Sequence, residues 1–239
     1  GVQTCALPIY FGNILAAYYA KQMGVPINKL ICASNENKVL FDFFRTGTYD
    51  KNREFVLTSS PSMDILISSN LERLIYTIAG QDGQKNAELM DALKSSGAYE
   101  ITKEMKAKLD DFVGGYATEE QTAQAIHDTY KRTGYVMDTH TAVASCVCAQ
   151  YREESGDETK CLIASTASPY KFVGSVMRAI DAEYAGRDEF ELVDELEKLS
   201  QVAIPNAVKE IRDAKILHTR ECDADKMKET VKEILEIEV

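Results

Sequence analysis

The sequence predicts an α/β fold: an open, mostly parallel twisted sheet flanked by helices. Three observations carry this. Lys29–Ala33 (KLICA) is a short apolar run of the kind that forms a strand buried on both faces. A polar turn, Ser34–Asn37, and a helical apolar period at Val39, Leu40, Phe43 and Phe44 follow it directly. Lys160–Ser165 (KCLIAS) repeats the strand signal and leads to Pro169, which suits the first position of a helix. Strand, polar turn and helix in that order is the rhythm of a sheet whose ligands gather beyond the carboxyl ends of its strands.

Taken in order, Phe11–Gly24 is a Gly-containing turn running into an amphipathic helix with Ile14, Leu15, Tyr18 and Tyr19 at helical spacing; Gly24 and Pro26 stop it. Its first-turn N–H groups have no partner within the helix, and that end of the dipole is positive. Phe11, Gly12 and Asn13 therefore either cradle an anion or form a plain helix start with Asn13 as cap. Asn35 and Asn37 fall on the ligand edge of the first strand, with Asn35 as helix cap the alternative. In Ser59–Leu74 (SSPSMDILISSNLERL), Pro61 and Ser62 turn the chain, and Ser69 or Asn70 caps a helix that buries Leu71, Leu74 and Ile75. Ser69, Asn70, Glu72 and Arg73 crowd that helix start. Arg73 is either a fork for an oxyanion or the partner of Glu72.

Residues 81–132 read as an inserted helical subdomain broken at Gly114-Gly115, with a capping box at Thr118–Gln121. Its lysines are solvated-face residues. Tyr135–Met137 reads as a short strand, and the loop beyond it gathers Asp138, His140 and Thr141; His140 either contacts a ligand or pairs with Asp138. Thr166 and Lys171 follow the Lys160–Ser165 strand, Lys171 as a phosphate contact or a surface lysine. Asp188–Lys198 and Pro205–Ala214 read as helices, Ile216–Cys222 as an edge strand and Asp225–Leu235 as a closing helix.

Across its 239 residues the chain is 45% hydrophobic and 27% charged, an ordinary soluble composition. A net charge of −11 argues against nucleic-acid partners, and no apolar run approaches the roughly 20 residues of a membrane helix. The 6 cysteines are scattered and the 3 histidines form no metal-ligand pattern. No secretion signal is visible, so the expected setting is cytoplasmic, with reduced thiols.

The segments Phe11–Asn13 (FGN), Ser34–Asn37 (SNEN), SPSMDI…SNLERL, Asp138–Ala142 (DTHTA) and Ser165–Phe172 (STASPYKF) together resemble the threonine synthase family. Three departures stand out. Ile9-Tyr10 precede FGN where the family has Gly-Asn, Thr139 replaces a proline, and Ser168 replaces a histidine. The resemblance implies a tryptophan synthase β-like fold, incomplete here, and pyridoxal 5'-phosphate as cofactor. Tyr10, Phe11, Gly12 and Asn13 would lie at the cofactor phosphate and Thr166 at the ring nitrogen. Ser69, Asn70, Glu72, Arg73, Asp138, His140, Thr141 and Lys171 would bind substrate. The reaction implied is O-phospho-L-homoserine and water to L-threonine and phosphate. The family's cofactor-bearing lysine lies upstream of Phe11, so no catalytic residue is assigned here, residues 10–239 read as a C-terminal part of the enzyme, and this chain alone is expected to be inactive. A serine or threonine dehydratase, or a non-catalytic binding protein on the same fold, is the alternative.

Residues 1–9 (GVQTCALPI) resemble neither a signal peptide nor a strand of that family. GGA-GTT-CAG-ACG-TGT-GCT-CTT-CCG-ATC-T, a sequencing adapter, encodes them and leaves one T over. A T as first base converts an Asn codon to the Tyr10 codon. Residues 1–9 are therefore expected to be adapter-derived.

Overall fold

The computed structural model describes residues 3–8 and 11–237. Its first compact unit runs to Ala203. In chain order it holds β1 (Gln3–Pro8), α1 (Phe11–Gln22), β2 (Ile27–Ser34), α2 (Val39–Thr46) and β3 (Thr48–Asp50). Then come α3 (Leu71–Ile78), α4 (Gly83–Ser95), β4 (Ala98–Glu100), α5 (Lys103–Ala107), β5 (Phe112–Tyr116) and α6 (Glu119–Thr133). The unit closes with α7 (Thr139–Ser155), β6 (Lys160–Ile163), α8 (Val173–Ile180) and α9 (Glu189–Ser200). The second unit, from Ile204, contains α10 (Asn206–Arg212) and α11 (Met227–Ile234).

A 4-stranded parallel sheet in the order β5-β2-β1-β6 organises the first unit, with β3 and β4 forming a separate antiparallel pair. The apolar run predicted as a strand is its best-buried member: Leu30 to Ala33 are wholly inaccessible. In α1 the spacing works as expected for Ile14, Leu15 and Tyr18, which are buried along with Phe11, while Tyr19 is 42% exposed. Gly24, at φ +101°, ends that helix in a conformation only glycine adopts cheaply.

Three expectations are corrected. Within 81–132, α4, α5 and α6 are helical, but β4 and β5 are strands, and the supposed break at Gly114-Gly115 is the middle of β5. A Cβ on Gly114 would sit 3.1 Å from the Phe41 Cα, and one on Gly115 would sit 2.3 Å from the Val147 Cγ1. Bare backbone is needed there because α2 and α7 press on the two faces of the strand. Residues 3–8, which fall in the segment expected to be adapter-derived, pair with β2 on one side and β6 on the other. Thr4 is buried, and its hydroxyl donates to the Asp157 carboxylate at 3.1 Å. Tyr135–Met137 makes no ladder; Val136 and Met137 are buried by packing alone. In the second unit Ile216–Cys222 makes no ladder either, and Ile216 and Leu217 are exposed, at 77% and 75%. The capping box at Thr118 and Gln121 forms as the sequence predicts.

Candidate active site

The chain passes from β1 to β2 and β5 on one side, then returns to β6 on the other side of β1. The carboxyl ends of β1 and β6 thus flank the point where strand order reverses, and ligands of open α/β sheets bind in such crevices. The structure brings the predicted residues to this edge in two clusters. Tyr10 lies outside the described residues.

The first cluster joins two helix starts. Phe11 is buried, its ring stacked on Phe44 at 6.2 Å, which fixes where α1 begins. Gly12 and Asn13 follow in the first turn, where backbone N–H groups are free to bind an anion. A Cβ on Gly12 would lie 3.3 Å from the Asn70 Nδ2, so the side chain opening α3 occupies the room this glycine leaves. Asn70 stands at the cap position of α3 but makes no capping bond. Its Oδ1 instead accepts from the Arg73 Nη1 at 2.5 Å, which turns its amide N–H groups toward Gly12. Glu72 and Arg73 do not pair with each other. Glu72 accepts from the Asn86 Nδ2 at 3.2 Å. Ser69, Asn70, Glu72 and Arg73 line an open pocket of about 590 Å³ walled by Tyr19 and Tyr76. These two tyrosines and Asn86 carry no sequence signal of a site; only the fold gathers them.

The second cluster is built on the start of α7. Asp138 is its cap: Oδ1 accepts from the His140 N–H at 2.9 Å and the Thr141 N–H at 3.2 Å. Oδ2 accepts from the Thr141 hydroxyl in a short contact. Asp138 is 1% exposed. Burial pushes its carboxyl up, but the hydrogen bonds from His140 and Thr141 outweigh that and hold it below its ordinary value, so it is ionised at neutral pH. The His140 Nδ1 lies 3.3 Å from the Asp138 Oδ1 and equally 3.3 Å from the Thr139 Oγ1. Phe172 covers the His140 ring at 4.8 Å, a contact that no short-range pattern predicts. Thr141 and Ser165 are joined hydroxyl to hydroxyl at 3.0 Å, tying α7 to the loop after β6. Thr166 is exposed at that loop; Lys171 is exposed too, its Nζ 5.3 Å over the Phe172 ring.

Asn35 and Asn37 do not face a ligand. Both are 1% exposed and donate to the Asp64 Oδ1, at 2.7 and 3.0 Å. Thr58 donates to both oxygens of the same carboxylate. Asp64 is a hub that binds the loop before α3 to the end of β2. A tighter cleft of about 250 Å³ along β5, between Phe41 and Tyr151, contains none of the predicted residues. Among the described residues no group of acidic, histidine or cysteine side chains could hold a metal, and no helix is long and apolar enough to cross a membrane.

An α/β domain with helix starts and hydroxyls converging on the switch point of a parallel sheet is the ligand-binding part of an enzyme fold. Residues 141–222 match the family model for the threonine synthase C-terminal region. The chain is 45% identical over 181 residues to threonine synthase-like 1 of Homo sapiens, covering 75% of this chain and 24% of that protein. It is 36% identical over 207 residues to threonine synthase of Saccharomyces cerevisiae, covering 80% of this chain and 40% of that one. The yeast threonine synthase crystal structure matches with a TM-score of 0.81 at 29% identity, over 98% of this chain and 48% of that chain. The pyridoxal-phosphate-bound threonine synthase from Brucella melitensis matches at 0.71 and 35% identity, over 84% and 42%. The chain carries a threonine synthase-family C-terminal domain on a tryptophan synthase β-like fold, and it spans less than half the length of these relatives.

Proposed function

We propose that this chain is the C-terminal portion of a cytoplasmic threonine synthase that uses pyridoxal phosphate to convert O-phospho-L-homoserine and water to L-threonine and phosphate. The observation that carries the reading is the meeting of Gly12 and Asn70, which faces two helix starts and an amide donor toward one place at the strand-order reversal. A phosphate monoester fits such a cradle: the donors are N–H groups, and the glycine leaves the backbone open. Phe11, Gly12, Asn13 and the Asn70 amide would hold the cofactor phosphate, with the Thr166 hydroxyl toward the ring nitrogen. Pyridoxal phosphate, when bound, supplies an electron sink for removing protons from substrate carbon.

The substrate phosphate requires a second cationic fork. Arg73, oriented by Asn70 and open to the pocket beside Ser69, supplies it, with Lys171 as the more exposed alternative. Asp138 orients Thr141 at the start of α7. In this reading the cofactor-bearing lysine belongs to the part of the enzyme upstream of Phe11. Six described lysines are committed elsewhere: Lys21 to Asp111, Lys29 to the Asp110 carbonyl, Lys85 to Glu88, Lys106 to the Arg45 carbonyl, Lys108 to the Ile78 carbonyl and Lys198 to Glu195.

The higher identity to threonine synthase-like 1 than to the yeast enzyme favours one second reading, a non-catalytic protein that uses the same fold for binding. Phosphate release from O-phospho-L-homoserine by the full-length protein, with amino-acid analysis of the product, tests both. Threonine formation supports the first. A bound cofactor with no turnover supports the second.

A further inference from the structure

Backbone parity shows which groups of β5 are free. The Leu30 N–H donates to the Asp111 carbonyl at 2.9 Å and the Ala117 N–H to the Ser34 carbonyl at 3.0 Å. Along a parallel strand the residues facing one neighbour alternate, so Val113 and Gly115 also turn their N–H and C=O groups to β2. Those of Gly114 and Tyr116 point the other way, where no strand lies among the described residues. β5 (FVGGY) holds no proline and no charge, and its pairing with β2 runs without a bulge, so the usual guards of a free edge are missing. This edge floors the cleft of about 250 Å³, where residues 113–116 lie between Phe41 of α2 and Val147, Gln150 and Tyr151 of α7. Backbone donors and acceptors at the bottom of a groove are what an extended peptide needs to add as a strand.

The two ends of the groove carry opposite charge. α7 runs against β5: Val147 meets Gly115, and one turn on Tyr151 reaches Asp157, which also binds Asn28 near the start of β2. Glu154 thus lines the cleft at the amino end of β5, beside the negative end of the α7 dipole. Thr118 and Gln121 line the other end, where the chain turns into α6. There the Lys38 ammonium lies 4.5 Å from the Tyr116 ring centroid and 5.8 Å from that of Phe41. The neighbouring Glu119 carboxylate is taken up by the Ser59 N–H and hydroxyl. A peptide parallel to β5 brings its carboxylate to Lys38; an antiparallel one brings its ammonium there and is repelled. Val113 to Tyr116 spans roughly 10 Å at about 3.3 Å per residue, so a side chain three positions before the carboxylate reaches Glu154. We propose that this cleft binds the C-terminal residues of a partner polypeptide as a strand parallel to β5, with the free carboxylate at Lys38 and a basic residue three positions earlier at Glu154. The inference is independent of the cofactor reading.

The test uses the full-length protein, labelled with ¹⁵N-glycine, and the peptide acetyl-Lys-Val-Thr-Val with a free carboxylate. Without peptide, amide exchange should be fast at Gly114 and slow at Gly115, whose N–H already faces β2. Saturating peptide should slow Gly114 by roughly tenfold or more and leave Gly115 as it was. In calorimetric titrations the C-amidated peptide should bind roughly tenfold more weakly, and Lys38→Met should abolish that difference. Glu154→Lys should reverse the preference between acetyl-Lys-Val-Thr-Val and acetyl-Glu-Val-Thr-Val. Both substitutions fall outside the core, and thermal melts check that the variants fold; Glu154→Lys, at an exposed position, decides the matter if Lys38→Met does not. Three results overturn the inference: no binding of the free-carboxylate peptide at millimolar concentration, binding that leaves Gly114 exchange unchanged, or a Gly114 amide already slow in the free protein, which would mean that another part of the enzyme covers this edge. None of them touches the assignment of the cofactor and substrate residues.

Discussion

Gly12→Ala should separate stability from binding, because the two effects have opposite signs. Gly12 sits in the first turn of α1, outside the positive-φ region, so alanine fits its backbone. Replacing a helical glycine by alanine stabilises by up to about 1 kcal/mol, less near an end. Against this, the new Cβ would fall 3.3 Å from the Asn70 Nδ2. Asn70 must then shift by a few tenths of an ångström while Arg73 grips its other end at 2.5 Å. The fold can absorb that small shift; a ligand needing both the Gly12 backbone and the Asn70 amide cannot. Losing one hydrogen bond to a charged phosphate costs about 1.5–3 kcal/mol, roughly ten- to a hundredfold in affinity. The melting temperature of the cofactor-free full-length protein should hold or rise by about 1–4 °C. Its dissociation constant for pyridoxal phosphate, followed by fluorescence titration, should rise at least tenfold. A stabilised variant with wild-type affinity would show that nothing binds between α1 and Asn70.

Thr166→Val in the full-length protein should weaken cofactor binding by about 1 kcal/mol, since one hydrogen bond to the ring is lost; equal titrations would remove Thr166 from the site. Arg73→Lys keeps the charge but loses the fork, so the KM for O-phospho-L-homoserine should rise far more than the melting temperature falls, and unaltered kinetics would leave Arg73 only its bond to Asn70. Asp138 has a carboxyl held below its ordinary 3.8, so the stability it contributes is complete above that value and is lost as pH falls through its folded-state pKa. Asp138→Ala should therefore flatten the acid side of the stability profile, and urea midpoints between pH 5 and pH 2 would reveal an undiminished slope if the assignment is mistaken. The 239-residue chain reduced with borohydride in the presence of pyridoxal phosphate should carry no stoichiometric pyridoxyl group, and mass spectrometry finding one on a single lysine would move the catalytic residue into this chain.

What the sequence made legible was local. The burial of α1 and β2 follows from apolar spacing within a dozen residues, and the Thr118 capping box is contained in four consecutive positions. The Asp138 cap is similarly short-range. Gly114-Gly115 misled because glycine is a poor strand former in isolation. Its presence in β5 makes sense only once Phe41 and Val147 arrive from helices far apart in sequence. Asn35 looked like a ligand or cap residue because Asp64, its actual partner, lies 29 residues away. In the candidate site the residue types were readable from motifs, but their partners were not. That Thr141 would meet Ser165, 24 residues on, depends on how the loop after β6 returns to the start of α7.

The interior position of β1 also sets a timetable. When the 239-residue chain is translated as given, its register with β2 can form as soon as Ser34 has emerged from a ribosome, but its other edge pairs Gln3 with Lys160. At about 5–20 residues per second, translation leaves that edge unpaired for roughly ten to thirty seconds. During that interval the nascent chain exposes a row of free N–H and C=O groups beside an apolar sheet, a surface to which other chains can add. Slowing elongation between β2 and β6 should therefore raise the aggregated fraction, while a chaperone that shields sheet edges should recover it. Destabilising α7, whose own contacts form later, should have far less effect on that early step.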